Sequence, residues 1–302
     1  MYAKIFVFLL TILSLRAACA GQSAQATNTA LLRTVMIATN FGTGTAFSVD
    51  VDNREYWVTA KHMFTGIKTG PAGEFKTKTV QANILSISGD GDQGHDQHWT
   101  TDTFTTIDPG KDIDILVLAP SHLLLLNYPR TFNLKAGSAT VGLGGDCEFL
   151  GFPYGGGWKA NFQDQKDPNK NNWLWLPYVK HCTPSAQVRD NGLLIWVLDG
   201  INNEGFSGGP VLTGTGQNQE VFAVISGFHQ EALEVMPAPG PGESRSGSVP
   251  PPPELPGAKQ SEPPKEIVNA NSGFIIAFDI EPAIKAIQSN PVGPLRPDTP
   301  TQ

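Results

Sequence analysis

Short β-rich runs, broken again and again by turn formers, leave this chain little choice but an antiparallel all-β fold. Thr34–Ala38, Thr45–Val49, Tyr56–Thr59, Thr79–Ile87, Ile113–Leu118, Glu148–Phe152, Leu193–Leu198, Val221–Ile225 and Gly273–Ile280 are dominated by β-branched, aromatic and aliphatic residues. Clusters of Gly, Asn, Asp and Pro separate them, and the chain spends 32 Gly and 24 Pro on 302 residues. That is the pattern of sandwiches and barrels. One helix is expected, after the last run: Glu281-Pro282 opens it and Ala283, Ile284, Ala286 and Ile287 form its apolar side. No period of roughly 20–50 residues recurs, which excludes a solenoid or propeller.

Residues 1–20 read as a signal peptide rather than as fold. Lys4 supplies a positive charge, and Ile5 to Leu15 form an apolar run too short to span a bilayer of about 30 Å. Ala18-Cys19-Ala20 offers a small-x-small cleavage site, and Ala24-Gln25-Ala26 a second one, with cleavage at 26. Export is therefore expected, periplasmic or secreted, with no stable membrane insertion after cleavage. Cleavage leaves Cys147 and Cys182, which in an oxidising compartment either form a bridge or stay as two buried thiols. A net charge of -7 argues against a general nucleic-acid binder. Gly89–Trp99, Gln163–Asn172 and the proline-rich stretch 236–265 read as loops. The last has almost nothing to bury and is followed by more strand, so it is expected to be a disordered insertion within a domain.

The chemistry concentrates in Gly205-Phe206-Ser207-Gly208-Gly209-Pro210-Val211. A serine hydroxyl needs a base to become a nucleophile, and glycines beside it let backbone N–H groups turn toward a developing oxyanion. Trp57-Val58-Thr59-Ala60-Lys61-His62-Met63-Phe64, preceded by Gly42-Thr43-Gly44-Thr45-Ala46-Phe47, places the favoured base among six histidines. Imidazole titrates near neutrality, which suits it to that work. Lys111-Asp112-Ile113-Asp114-Ile115-Leu116-Val117-Leu118 supplies the acid in either of two registers. Asp114 is preferred, because using Asp112 would leave Asp114 as a spare carboxylate in a buried strand.

These segments resemble the chymotrypsin/trypsin-like serine peptidase family, in its bacterial form, over roughly Thr34 to Ile287. The serine segment matches the family's GxSGGP motif, and the order His, Asp, Ser is the family's own. The resemblance implies two six-stranded antiparallel β-barrels with a short C-terminal helix: an N-terminal barrel over 30–125 and a C-terminal barrel over 136–290, with no PDZ-like module after it. It implies His62, Asp114 and Ser207 as catalytic triad, the N–H groups of Gly205 and Ser207 as oxyanion hole, and Ser226 as support for Asp114. It sets Ile201, Asn202, Ser226, Gly227 and Phe228, with Asn203 and His229 beside them, around the substrate. It makes the strands bearing Cys147 and Cys182 neighbours, hence a Cys147–Cys182 disulfide. Phe206 stands where activated digestive proteases carry aspartate, so activation by propeptide cleavage is not expected; Glu204 is a substitute charge. No cofactor and no metal are expected, and the partner is a polypeptide substrate. No acid stands at the pocket floor, which speaks against a Lys or Arg preference, and Phe228 is expected to narrow the pocket toward small side chains.

Rival readings remain. Gly205-Phe206-Ser207-Gly208-Gly209 also fits a nucleophile elbow, but Pro210 and β-rich sequence follow it instead of a helix. Asp90, Asp92, His95, Asp96 and His98 lack the spacing of a calcium loop or a zinc site and read as a wet loop. The stronger rival is a two-barrel binding or regulatory module with little or no turnover.

Overall fold

The computed structural model of the chain describes residues 28–68, 72–85, 99–124, 135–136, 141–163, 171–190, 192–235 and 266–296. The leader at 1–20, the loop with Asp90, Asp92, His95, Asp96 and His98, and the stretch 236–265 lie outside the described residues.

A short helix α1 (Asn28–Arg33) leads into β1 (Thr34–Thr39), β2 (Gly42–Val51) and β3 (Arg54–Thr59). Asp52 and Asn53 join β2 to β3 with φ of 50° and 57°, the left-handed pair that matches the twist of a tight hairpin. One helical turn, α2 (His62–Thr65), is followed by β4 (Thr79–Leu85), β5 (Trp99–Ile107) and β6 (Leu116–Pro120). These strands close into a barrel in the order β1-β2-β3-β6-β5-β4, every pair antiparallel.

The second barrel is built from β8 (Cys147–Gly151), β11 (Tyr178–Asp190), β12 (Leu193–Asp199), β13 (Pro210–Thr213), β14 (Glu220–Val235) and β15 (Glu266–Asp279). They run β13-β8-β11-β12-β15-β14, and pairing of β13 with β14 closes the ring. The two-residue β7 (Lys135–Ala136) adds to β14 in parallel, and β9 (Trp158–Gln163) pairs with β10 (Asn171–Leu176) in a separate hairpin. Helix α3 (Glu281–Ser289) buries Ala283 and Ile287. Two six-stranded antiparallel barrels ending in a short helix are the chymotrypsin-like fold.

Period-two alternation sorts the buried side chains of the described residues into four clusters. Along β6, Leu116 and Leu118 point into the first barrel with Trp57 and Phe104, while Val117 and Ala119 point outward. That outward face is not solvated: with Phe47, Val49, Tyr56 and Val58 it packs on Leu150, Leu212, Val221 and Val224 of the second barrel. Strands buried on both sides read as unbroken apolar runs, which is why β6 was legible as a strand. It begins at Leu116 instead of Ile113, because the chain first turns at Gly110 to Ile113 to aim Asp114 inward. Cys147 and Cys182 face each other across β8 and β11 and are bridged, their Cα atoms 4.9 Å apart.

Past α3 the chain returns to the first barrel. Glu55 N–H donates to Pro294 O at 3.0 Å and Arg296 N–H to Asn53 O at 2.9 Å. The Arg296 guanidinium meets Asp50 at 2.6 Å and Glu55 at 3.0 Å, both carboxylates lying in the first barrel.

Candidate active site

Thr59 ends β3, and Ala60-Lys61 turn the chain into α2, which carries His62 to the seam between the barrels. The backbone N–H of His62 donates to Asp114 Oδ1 at 2.8 Å, and its Nδ1 lies 2.7 Å from Asp114 Oδ2. A carboxylate can only accept, so Nδ1 carries the hydrogen, and in the neutral ring that leaves Nε2 the lone pair able to take a proton. From the second barrel, Ser226 Oγ donates to the same Oδ2 at 2.5 Å. His62 and Asp114 are both buried, and these three hydrogen bonds offset the cost of burying the carboxylate. Asp112 sits in the exposed turn before it and faces none of them.

Ser207 occupies a turn fixed to the strands on both sides. Thr45 N–H donates to Ser207 O at 2.9 Å, Gly208 N–H to Ile225 O at 2.7 Å, and Thr45 Oγ1 to Gly205 O at 2.7 Å. Only glycine serves at three points, Gly209 being one, where a Cβ would lie 2.1 Å from Leu150 O. Gly205 has φ 100° and a Cβ there would lie 2.2 Å from Phe152 O; Gly208 has φ 84° and its Cβ would lie 2.2 Å from Thr45 O.

The peptide planes around Ser207 can be oriented from their carbonyls. Glu204 O accepts from Tyr154 N–H at 2.7 Å, and Phe206 O accepts from Gly209 N–H at 2.8 Å. In a trans peptide the next N–H points the opposite way. The N–H groups of Gly205 and Ser207 are therefore turned from these partners, and among the described residues neither has a hydrogen-bond acceptor. Both residues line an open cleft of about 840 Å³ that His62, Ser226 and Gly227 also line. The Ser207 hydroxyl donates to Ser226 O at 3.4 Å and is not hydrogen-bonded to His62.

The residues expected around the substrate are placed unevenly. Asn202 is buried on the cleft wall, its Nδ2 donating to Gly227 O at 3.3 Å and its Oδ1 accepting from Asn203 N–H at 2.8 Å. Asn203 also lines the cleft. Ile201 does not: its side chain is 64% exposed, and its carbonyl accepts from Lys180 Nζ at 2.8 Å. Phe228 and His229 continue β14, and their side chains lie outside the described ones. Glu204 is exposed and contributes its backbone carbonyl rather than a charge.

Sequence reasoning missed two lysines. Lys61 is fully buried, with Nζ 2.7 Å from Asp108 Oδ1 and donating to Gly110 O at 2.6 Å and Gly73 O at 3.0 Å. A lysine inside the apolar run Val58 to Phe64 is the one hint the sequence carries, because such a charge needs a partner. Lys180 bonds the loop ahead of Ser207, and burial pulls its ammonium below the usual lysine range. Tyr154, 75% exposed with φ 53°, borders the cleft and accepts from Asn203 Nδ2 at 3.1 Å.

The fold and this seam define a class, the chymotrypsin-like two-barrel proteins. Among solved structures, the chain is similar to an HtrA-type protease, AlgW with tripeptide, at 16% identity and a TM-score of 0.47 over 86% of its own length. It spans 60% of that protein's length. It is also similar to a double mutant of human heparin binding protein at 12% identity and a TM-score of 0.44, covering 92% of this chain and 99% of the other. A human pathogenic astrovirus serine protease matches at 17% identity and a TM-score of 0.34, over 64% of this chain and 82% of its own. No family model matches the sequence. No curated protein matches it either.

Proposed function

We propose that the protein is a serine endopeptidase acting outside the cytoplasm. The observation that carries this reading is one arrangement: Asp114 holds His62 by two hydrogen bonds and Ser226 by a third, in the cleft that Ser207 and two acceptor-free amides line. In the reaction, His62 Nε2 takes the Ser207 proton as Oγ attacks a peptide carbonyl carbon. The carbonyl oxygen becomes an oxyanion received by the N–H groups of Gly205 and Ser207. The C–N bond breaks as His62 returns the proton to the leaving amine, giving an acyl-enzyme. Water, deprotonated by His62, then cleaves the ester and restores Ser207. The Cys147–Cys182 bridge supports an oxidising compartment, where a polypeptide substrate would be met.

One observation favours a second reading, a binding module with little turnover: the Ser207 hydroxyl rests on the Ser226 carbonyl instead of on His62. Turnover separates the two. Intact-mass labelling with a fluorophosphonate, beside Ser207→Ala and His62→Ala, is expected to give one adduct on the wild type and none on either variant. A folded wild type that takes no adduct rules against the peptidase.

A further inference from the structure

Loop 201–206 carries one of the two acceptor-free amides and ends at Ser207; its one carboxylate, Glu204, is exposed, and Phe206 is fully buried, edge-on to Phe149 with ring centroids 4.9 Å apart. A cation reaches it from the barrel wall. Lys180, on β11, lies with Nζ 5.2 Å from the centroid of the Phe206 ring. The same ammonium donates to the carbonyl of Ile201 at 2.8 Å and to the side-chain oxygen of Asn203. Asn203 is the hub of the loop, since its carbonyl accepts from Phe206 N–H at 3.3 Å and its Nδ2 donates to Tyr154 at 3.1 Å. One side chain thus touches the loop's beginning, middle and end.

We infer that Lys180 is a positioning residue: its ammonium braces loop 201–206 in the conformation that turns the Gly205 and Ser207 amides into the cleft. The catalytic part of this inference rests on the peptidase reading; the bracing part does not. A lysine suits the task because its three donors radiate from one point, and here two go to oxygens while the charge rests on the Phe206 ring. The brace is built into the barrel, so the loop needs no separate event to order it.

The test uses Lys180→Met, which keeps the stem over Phe206 and removes the donors, and Lys180→Arg, which restores charge and donors. Hydrogen exchange over 200–208 reads the loop's order whether or not the protein turns over. Exchange there is expected to be about tenfold faster in the methionine variant, with the barrel strands unchanged, and to return with arginine. Fluorophosphonate labelling is expected to slow about 10- to 100-fold, somewhat less than the loss of a whole oxyanion donor. Hydrolysis of a p-nitrophenyl ester should lose kcat and keep KM, because the donors act on the transition state. Asn203→Ala, with Lys180 intact, serves if the methionine variant does not fold, and should speed exchange in the same segment. Unchanged exchange over 200–208 in a folded methionine or Asn203→Ala variant overturns the brace. If exchange rises but the wild type never labels, the brace stands and the peptidase reading falls.

Discussion

Removing the Lys61 ammonium should cost far more than a surface charge ever does. Lys61 is fully buried, and its Nζ is shared between Asp108 and the carbonyls of Gly73 and Gly110. Lys61→Met keeps the volume but leaves the largely shielded Asp108, 13% exposed, with only the Phe75 and Gly110 N–H groups, at 2.6 and 3.0 Å, to face it. Breaking a buried pair from one side costs about 3–5 kcal/mol, because the remaining charge is stranded. For a chain of this size that lowers the melting midpoint by roughly 10 °C. Lys61→Met combined with Asp108→Asn removes the stranded charge while keeping an acceptor for those N–H groups. The double variant should recover about half of the loss, about 1.5–2.5 kcal/mol relative to Lys61→Met, and so cost less than the sum of its singles. Urea unfolding of the four proteins measures each corner. A single variant costing under about 1 kcal/mol, or a double variant equal to the sum of its singles, would refute the reasoning and mean that water reaches the pair.

Other outcomes follow from the same geometry. Asp114→Asn presents an N–H to His62 Nδ1 and so selects the wrong tautomer; fluorophosphonate labelling should fall about 10⁴-fold with little change in melting. Replacing both Cys147 and Cys182 by serine opens a link of sequence separation 35, and equilibrium unfolding should show a loss of about 4 kcal/mol on loop entropy. Burial raises the Asp279 carboxyl above its ordinary range, partly opposed by hydrogen bonds from Glu281 N–H and Trp196 Nε1. Between the ordinary and raised values the folded state keeps a proton that the unfolded chain has lost, so stability falls as pH rises through that window. Asp279→Asn should flatten this slope, and an unchanged slope in urea midpoints would discount the residue.

The strands legible in sequence are those whose inward faces are apolar without interruption, such as β3, β8, β12 and the start of β14. β5 escaped notice because threonines fill most of it and only Phe104 and Ile107 are apolar and buried, so alternation is blurred by polar residues with high strand propensity. The hairpin of β9 and β10 was hidden by the polar segment between its strands. Asp114 and Asp112 differ in burial, which is the quantity a desolvation argument weighs: Asp114 is buried just ahead of β6 and Asp112 is exposed. Lys180 had no such signal: its partners at Ile201, Asn203 and Phe206 are brought near by barrel closure alone. Ile201 and Asn202 are neighbours in sequence, yet Ile201 is exposed and Asn202 is buried.

Arg296 makes the order of synthesis matter. Its partners Asp50 and Glu55 belong to the first barrel, yet it follows them by 246 and 241 positions, after every strand of the second. A nascent first barrel must therefore hold two carboxylates that lack this cation, with Arg33, 3.8 Å from Asp50, as the nearby substitute. Domains ordinarily settle from the amino terminus as they leave the ribosome. Here the barrel bearing His62 and Asp114 reaches its final form only once the chain carrying Ser207 is complete, so folding ends with both halves of the cleft already made.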